Sequence, residues 1–223
     1  MATKQNRQKY RMVVFDLDGT LADGTASIWK TILESLGINE HPRRIELRDR
    51  FRTGEIGYRE WAEGDMKLMI EYGVNKAKML KALESVWLMK GARETLDALK
   101  ARGMKLAVVS GSMDIVLEKL MPDYKKIFDH VYILKIIFGG KGNVKGIDTC
   151  HDAWHKDIAL REICRLEKIS LDECVFVGDH SNDVSASKIA GLSIAFDPKS
   201  DKLREAADVI IEKKDMREIL KHI

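Results

Sequence analysis

Acidic side chains follow two apolar runs of the sequence. Asp16 and Asp18 come directly after RMVVF in the string DLDGT, and Asp179 and Asp183 belong to the string GDHSND after CVFV. Carboxylates gathered this closely repel one another unless a cation lies among them. Hard oxygen ligands favour Mg²⁺, which commonly takes one or two carboxylates together with a substrate phosphate. The acidic residues therefore indicate a Mg²⁺ site that serves phosphate chemistry.

Two further positions could bind the phosphate itself. Ser110 and the amides after it, in the string VVSGS, can donate hydrogen bonds to phosphate oxygens, and Lys156 adds a point charge that neutralises them. A single Asp at a strand end is usually a turn or capping residue, and an isolated Ser-Gly is usually a turn. The string DxDGT is much rarer, on the order of once in hundreds of chains of this length by chance. DLDGT, VVSGS, Lys156 and GDHSND occur together in an order that one site could use, which argues against coincidence.

The elements that must position these residues alternate between short apolar runs and segments of helical periodicity. Strands are predicted over residues 11–16, 106–110, 131–138, 174–179, 192–196 and 209–212. Helices are predicted over residues 91–102, 113–120, 153–167, 182–190 and 215–222, with a hairpin turn over 139–146. This alternation predicts an α/β fold with an open, doubly wound, Rossmann-like parallel sheet. Such sheets bind ligands outside the carboxyl ends of their strands, where the acidic strings and Ser110 fall.

Residues 25–85 have a different texture. Apolar residues recur there at helical spacing, as in Ile28, Ile32 and Leu33, and glycines interrupt the periodicity. We expect a small helical cap domain over 25–85, inserted into a core domain made of residues 1–24 and 86–223. Residues 1–9 are polar and basic, and they are interpreted as a loose tail.

The composition excludes several other classes of protein. The 223 residues carry a net charge of +3 with both signs interspersed, whereas a nucleic-acid-binding protein would present a clustered basic face. No apolar run approaches the roughly 20 residues that a membrane-spanning helix needs. We expect a cytoplasmic monomer or homodimer that acts on a small phosphorylated metabolite, with neither nucleic acid nor membrane as partner. Three spaced cysteines predict neither disulfides nor a zinc site, and His151 and His155 are expected to be exposed or capping residues.

The strings named above resemble the motifs of the haloacid dehalogenase superfamily. DLDGTL is similar to its first motif, VVSGS to the second, Lys156 to the third and GDHSND to the fourth. Within the superfamily the chain most resembles the phosphoserine phosphatase family, and the resemblance covers nearly all of residues 11–223. It implies a phosphatase that works through a phospho-aspartate. Phosphomutases share the DxD string, so a phosphomutase stays an alternative, as does a non-catalytic regulator that binds phosphate.

The resemblance also implies a role for each site residue. Asp16 is the nucleophile, and Asp18 is the general acid and then the base. Asp16, Asp179 and the main-chain oxygen of Asp18 hold Mg²⁺, while Asp183 orients the metal's waters or Lys156. Phosphate is bound by Ser110, Gly111, Lys156 and Asn182.

Substrate specificity is where the sequence departs from the resembled family. Thr25 falls where that family has a Glu for the substrate ammonium, and Asp65 falls where it has an Arg for the carboxylate. An inverted arrangement, in which Arg52 holds the carboxylate and Asp65 the ammonium, is one hypothesis, and phosphoserine is the leading named substrate. Tyr58 is a further candidate, and so is His180, which replaces a common Gly and either contacts substrate or faces outward.

Overall fold

The fold is described from a computed structural model that covers residues 9–223. Its strands are β1 (Met12–Phe15), β2 (Ala22–Asp23), β3 (Trp87–Leu88), β4 (Lys105–Met113), β5 (His130–Leu134), β6 (Ile136–Phe138), β7 (Val144–Ile147), β8 (Cys174–Gly178), β9 (Leu192–Phe196) and β10 (Val209–Ile211). Its α-helices are α1 (Ile28–Ser35), α2 (Pro42–Arg52), α3 (Tyr58–Glu71), α4 (Lys76–Ala82), α5 (Ala92–Ala101), α6 (Asp114–Leu120), α7 (Tyr124–Ile127), α8 (Lys156–Glu167), α9 (Val184–Ser187) and α10 (Asp201–Ala206). Short 3-10 helices cover Leu171–Glu173, Ser181–Asp183 and Met216–Lys221.

A six-stranded parallel sheet in the order β10-β9-β8-β1-β4-β5 forms the centre of the molecule. Every residue of β1 is fully buried, as expected of a parallel strand covered on both faces. Val13 and Phe15 belong to the apolar core on one face, and Met12 and Val14 belong to the core on the other. Because β1 lies between β4 and β8, the connections leave it in opposite directions, which opens a crevice at its carboxyl end. The predicted α/β fold class is confirmed.

One predicted strand is wrong in its extent. The run 131–138 breaks at Lys135, whose backbone amide donates to the carbonyl of Thr149, and Ile136 donates to the carboxylate of Asp114. Those bonds turn the chain out of the sheet, so β6 pairs antiparallel with β7 instead of extending β5. The segment predicted as a helix over 215–222 is a 3-10 helix. The tail predicted over residues 1–9 lies outside the described residues except for its last one.

The helices α1 to α4 all lie within the segment predicted to be inserted. The two-residue strands β2 and β3 pair antiparallel where this segment leaves and rejoins the sheet. Its apolar side chains, Ile28 and Met66 among them, join the same buried cluster as Phe15. The insert therefore shares one continuous apolar core with a face of the sheet, and its boundaries at 25 and 85 stay a prediction. Across residues 9–223, the helices are too short or too polar to cross a bilayer.

Candidate active site

A cavity of about 370 Å³ lies between the carboxyl ends of the central strands and the helical insert. Its floor is formed by residues at the carboxyl ends of three strands: Asp16 directly after β1, Ser110 in the last part of β4, and Asp179 directly after β8. Its roof is formed by α1, α2 and α3. The cavity is therefore at the crevice that the strand order creates.

Lys156 is the charged centre of the floor. It is the first residue of α8 and is fully buried, and its Nζ lies 2.6 Å from Asp16 Oδ1 and 2.5 Å from Asp183 Oδ1. The other oxygen of Asp183 accepts hydrogen bonds from the backbone amides of Asp179 and His180. A buried charge is tolerated only when it is paired in this way. The pairs fix Asp16 and Asp183 in place.

Three buried carboxylates converge beside Lys156. Asp16, Asp179 and Asp183 each offer an oxygen within 4.8 Å of the others. Burial raises the pKa of Asp16 to about 7 although Lys156 opposes the shift, and burial with repulsion from Asp16 raises the pKa of Asp179 to about 9. When all three are ionised, one ammonium leaves a local charge of −2. A divalent cation with oxygen preference matches this donor set in charge and chemistry.

The glycine of DLDGT makes the cluster possible. Gly19 has φ of +76°, in the left-handed region that favours glycine. A Cβ at this position would lie 2.1 Å from Asp179 Oδ2. The turn after β1 can therefore approach the end of β8 only with glycine there.

Asp18 joins the floor of the cavity to the insert. Its Oδ2 accepts a hydrogen bond of 2.7 Å from the amide of Ile28, the first residue of α1. Its Oδ1 is buried and has no hydrogen-bond partner in the described part of the chain. Burial raises the pKa of the Asp18 carboxyl above its ordinary value, because desolvation disfavours the charged form. Asp18 therefore brings a carboxyl group to the cavity floor while it also accepts a hydrogen bond from the start of α1.

The segment Ser110–Ser112 forms the side of the floor. Ser110 Oγ accepts the amide of Ser112 at 3.2 Å. The carbonyl of Gly111 accepts two bonds from the insert, from Trp29 Nε1 at 3.0 Å and from the hydroxyl of Tyr58 at 2.7 Å. The insert is thus hydrogen-bonded to the strand end that was predicted to bind phosphate. Asn182 and His180 complete the wall on the side of β8.

The predicted specificity residues do not all reach the cavity. Arg52, on α2, and Tyr58, on α3, line its roof. Thr25 lies outside it, with its hydroxyl bonded to Thr31 at 2.6 Å. Asp65 is 2% exposed and lies behind the residues that line the roof, with its carboxylate 3.5 Å from Arg44 Nε. Burial raises the pKa of Asp65 to about 7, although Arg44 opposes the shift. His180 is exposed and is one of the wall residues.

Sequence reasoning missed most of the roof. The further roof residues with large side chains are Trp29, Arg44, Arg48, Phe51 and Trp61. The spacing of Arg44, Arg48 and Arg52 at i, i+4 and i+8 would have placed them on one helix face. The two histidines near α8 have separate surroundings: His155 is exposed 3.0 Å from Asp152, and the ring of His151 packs on Tyr132.

Comparison with known proteins agrees with this geometry. The family model of haloacid dehalogenase-like hydrolases matches residues 13–188. Phosphoserine phosphatase of Methanocaldococcus jannaschii is 34% identical over 219 residues, which is 97% of this chain and 99% of that protein. Solved structures described as a substrate-bound phosphoserine phosphatase complex and as a phospho-aspartyl intermediate analogue of phosphoserine phosphatase superpose with TM-scores of 0.75 and 0.74. Each of the two is 32% identical and matches 96% of this chain and 99% of its own.

The chain belongs to the haloacid dehalogenase-like hydrolase family. The predictions of this superfamily and of a phosphoric monoester hydrolase are confirmed.

Proposed function

We propose that the chain hydrolyses a small phosphomonoester with Mg²⁺ through a phospho-aspartate on Asp16. The observation that carries the proposal is the position of Asp16. Its carboxylate lies at the end of β1, 2.6 Å from the buried ammonium of Lys156 and within the same cluster as Asp179 and Asp183. Asp18 stands two residues away on the same cavity floor.

Each half of the reaction uses both aspartates of the first motif. An oxygen of Asp16 forms a bond to phosphorus while the bond from phosphorus to the leaving oxygen breaks, and Asp18 gives that oxygen a proton. Asp18 then takes a proton from water, whose oxygen attacks phosphorus and releases inorganic phosphate from Asp16. The raised pKa of Asp18 suits the first of these steps, because burial shifts this carboxyl toward the form that can donate a proton.

The remaining floor residues neutralise and orient the phosphoryl group. Lys156, Ser110, Asn182 and the amide of Gly111 are proposed to contact its oxygens, since transfer of this kind depends mainly on positioning and on neutralising spread charge. Mg²⁺ is proposed to be held by Asp16, Asp179 and the main-chain oxygen of Asp18, with Asp183 orienting its waters. Bound there, the cation would neutralise charge on the phosphoryl oxygens.

We propose that residues 25–85 act as a cap on a core of residues 1–24 and 86–223. The bonds from Trp29 and Tyr58 to Gly111 hold the roof against the floor, which keeps bulk water from the phospho-aspartate. A cavity of about 370 Å³ under such a roof suits a small metabolite. The relatives named phosphoserine phosphatase make phosphoserine the first named substrate to test. The cytoplasmic location and the monomeric or dimeric state stay predictions.

The test is release of inorganic phosphate from p-nitrophenyl phosphate. We expect turnover with Mg²⁺, its loss in EDTA, and its return when Mg²⁺ is added back. Asp16→Asn should release no phosphate while keeping the wild-type melting temperature. The control Asp172→Asn, at an exposed site, should be fully active. Full activity after metal stripping, or in Asp16→Asn, would contradict the proposal. Phosphate passed to a second hydroxyl without release would indicate the phosphomutase, and no turnover with retained phosphate binding would indicate the regulator.

A further inference from the structure

The helix α2 is unlike its neighbours in the roof. The helices α1 and α3 bury several apolar side chains each, whereas Arg44 is the one buried residue of α2. Residues four apart on a helix share a face, so Arg48 and Arg52 follow Arg44 along the face that lines the cavity. A helix normally buries its apolar face. This one presents a row of guanidinium groups to the site.

The outer arginines of the same helix have partners. Arg43 forms an ion pair with Glu71, and Arg50 Nε lies 2.7 Å from Glu55 Oε1. On the inner face, Arg44 is 6% exposed and is the partner of Asp65. Among the arginines of α2, Arg48 and Arg52 are therefore the two that take no part in these ion pairs.

The positive charges of Arg48 and Arg52 are poorly neutralised by carboxylates of the protein. The nearest carboxylate to Arg48 is that of its exposed neighbour Asp49, 3.5 Å from Nε, and this buried nitrogen makes no hydrogen bond within residues 9–223. Across the same residues, no carboxylate oxygen lies within 4.0 Å of the guanidinium of Arg52. The roof of the cavity therefore carries positive charge that an anionic ligand could neutralise.

The aromatic residues of the roof hold the last turn of α2 in position. Phe51, next to Arg52, stacks on Trp61 with ring centroids 4.7 Å apart, and its ring meets that of Tyr58 edge to face at 6.1 Å. Tyr58 is in turn bonded to Gly111 on the floor. The last turn of α2 is thereby fixed over the cavity, because its position is tied to both the next helix and the sheet.

A substrate ammonium finds no equivalent partner. The carboxylates that line the cavity are Asp16, Asp18 and Asp179, all on the floor where the phosphoryl group reacts. Asp65 forms an ion pair with Arg44 behind the residues that line the cavity, and Thr25 lies outside the cavity. An ammonium under this roof would face guanidinium groups of like charge, which opposes binding.

We propose that the cavity selects phosphomonoesters whose leaving group carries a carboxylate and no ammonium, that is, phosphorylated hydroxy acids. Arg48 and Arg52 bind that carboxylate while the phosphoryl group lies over Asp16. This inference rests on the proposed function and replaces the inverted arrangement in which Asp65 receives an ammonium.

The test compares esters that differ in one group. O-phosphoserine and 3-phosphoglycerate share a skeleton and differ in an ammonium against a hydroxyl, and glycerol 3-phosphate lacks the carboxylate. With the full chain and Mg²⁺, we expect kcat/KM for 3-phosphoglycerate to exceed both others by about tenfold or more. A short alkanediol bisphosphate shows whether the roof recognises a carboxylate or a second phosphate. A higher kcat/KM for 3-phosphoglycerate than for the bisphosphate supports the hydroxy acid as substrate. A higher kcat/KM for the bisphosphate overturns it.

Variants of α2 show whether the arginines are responsible. Arg52→Gln and Arg48→Gln should each lower the ratio of kcat/KM for 3-phosphoglycerate over glycerol 3-phosphate by about tenfold, mainly through KM. Arg43→Gln, on the outer face of the same helix, should leave the ratio unchanged. Hydrolysis with O-phosphoserine ahead of 3-phosphoglycerate overturns the inference alone. No hydrolysis of any ester, p-nitrophenyl phosphate included, overturns the proposed function and this inference with it.

Discussion

The floor and the roof of the cavity treat charge in opposite ways. On the floor, Lys156 is fully buried between Asp16 and Asp183, and the remaining negative charge matches a divalent cation. In the roof, Arg48 and Arg52 carry positive charge with little compensation from the protein. We infer that the floor needs only a metal ion to balance its charge, whereas the positive charge of the roof is balanced by the substrate.

This difference separates chemistry from selection. Groups held rigidly by their own partners can act on any phosphoryl group that reaches them. Groups without partners contribute binding energy in proportion to what the leaving group offers. Changes to the floor should therefore affect kcat for every ester, and changes to the roof should affect KM for particular esters.

The largest effect is expected from Asp18→Asn, which removes the proposed proton donor. We expect kcat/KM for an alkyl phosphate, which reports formation of the phospho-aspartate, to fall by about 10²- to 10⁴-fold, the usual contribution of general acid–base catalysis. The loss should be smaller for p-nitrophenyl phosphate, because its leaving group departs without a proton. Steady-state phosphate release on both esters measures this, with Asp172→Asn as the control. Equal losses of kcat/KM on the two esters would contradict the role of Asp18 as acid.

Lys156→Met breaks the central ion pairs of the floor. Removing one partner of a buried pair costs about 3–5 kcal/mol, because the other charges stay buried without compensation. We expect the free energy of unfolding at pH 8 in EDTA to fall by that amount, and Mg²⁺ to restore part of it. Urea denaturation followed by circular dichroism measures both values, and Lys199→Met, which breaks an exposed pair with Asp197, is the control. A change below about 1 kcal/mol would show that Lys156 is not the counter-charge of the cluster.

Sequence alone identified the floor much better than the roof. Asp16 and Asp18 belong to a contiguous string after a buried strand, and Lys156 was found 140 residues away through the order of the motifs. The helix α2 offers no comparable signal, because its apolar residues show almost no helical periodicity and arginines occur on several of its sides. Counting along the sequence from the first motif of the resembled family therefore singled out Thr25 and Asp65. The fold places Thr25 outside the cavity and Asp65 behind the residues that line it. Which face of a polar helix meets the cavity is decided by tertiary packing.

Gly111→Ala tests how closely the roof approaches the floor. An added Cβ would lie 2.6 Å from the hydroxyl oxygen of Tyr58 and 2.4 Å from Cβ of Ala153, so one of them must move. Overpacking of this kind costs about 1–3 kcal/mol of folding free energy. We expect a matching loss in urea denaturation together with a higher KM. Gly140→Ala, where an added Cβ meets nothing within 4 Å, is the matched control. A wild-type KM in Gly111→Ala would mean that the roof is not held at this contact.

The smallest effect is expected from Tyr58→Phe. This change removes one of the two hydrogen bonds to the carbonyl of Gly111 and leaves the one from Trp29. A single hydrogen bond contributes about 0.5–1.5 kcal/mol, so KM should rise by about two- to tenfold with little change in kcat. Kinetics on a small phosphomonoester measure the change, and Tyr72→Phe, an exposed tyrosine of the same insert, should be neutral. A fall in kcat larger than the rise in KM would place Tyr58 in the chemical step instead.

The most direct test of the central claim is to trap the phosphoryl group on the protein. Wild-type protein is mixed with Mg²⁺ and excess substrate, quenched in acid within its turnover time, digested, and read by mass spectrometry. We expect one phosphoryl group on the peptide that contains Asp16, localised to Asp16, and none in Asp16→Asn. A phosphoryl group on another residue, or full turnover by Asp16→Asn, would contradict the role of Asp16 as nucleophile.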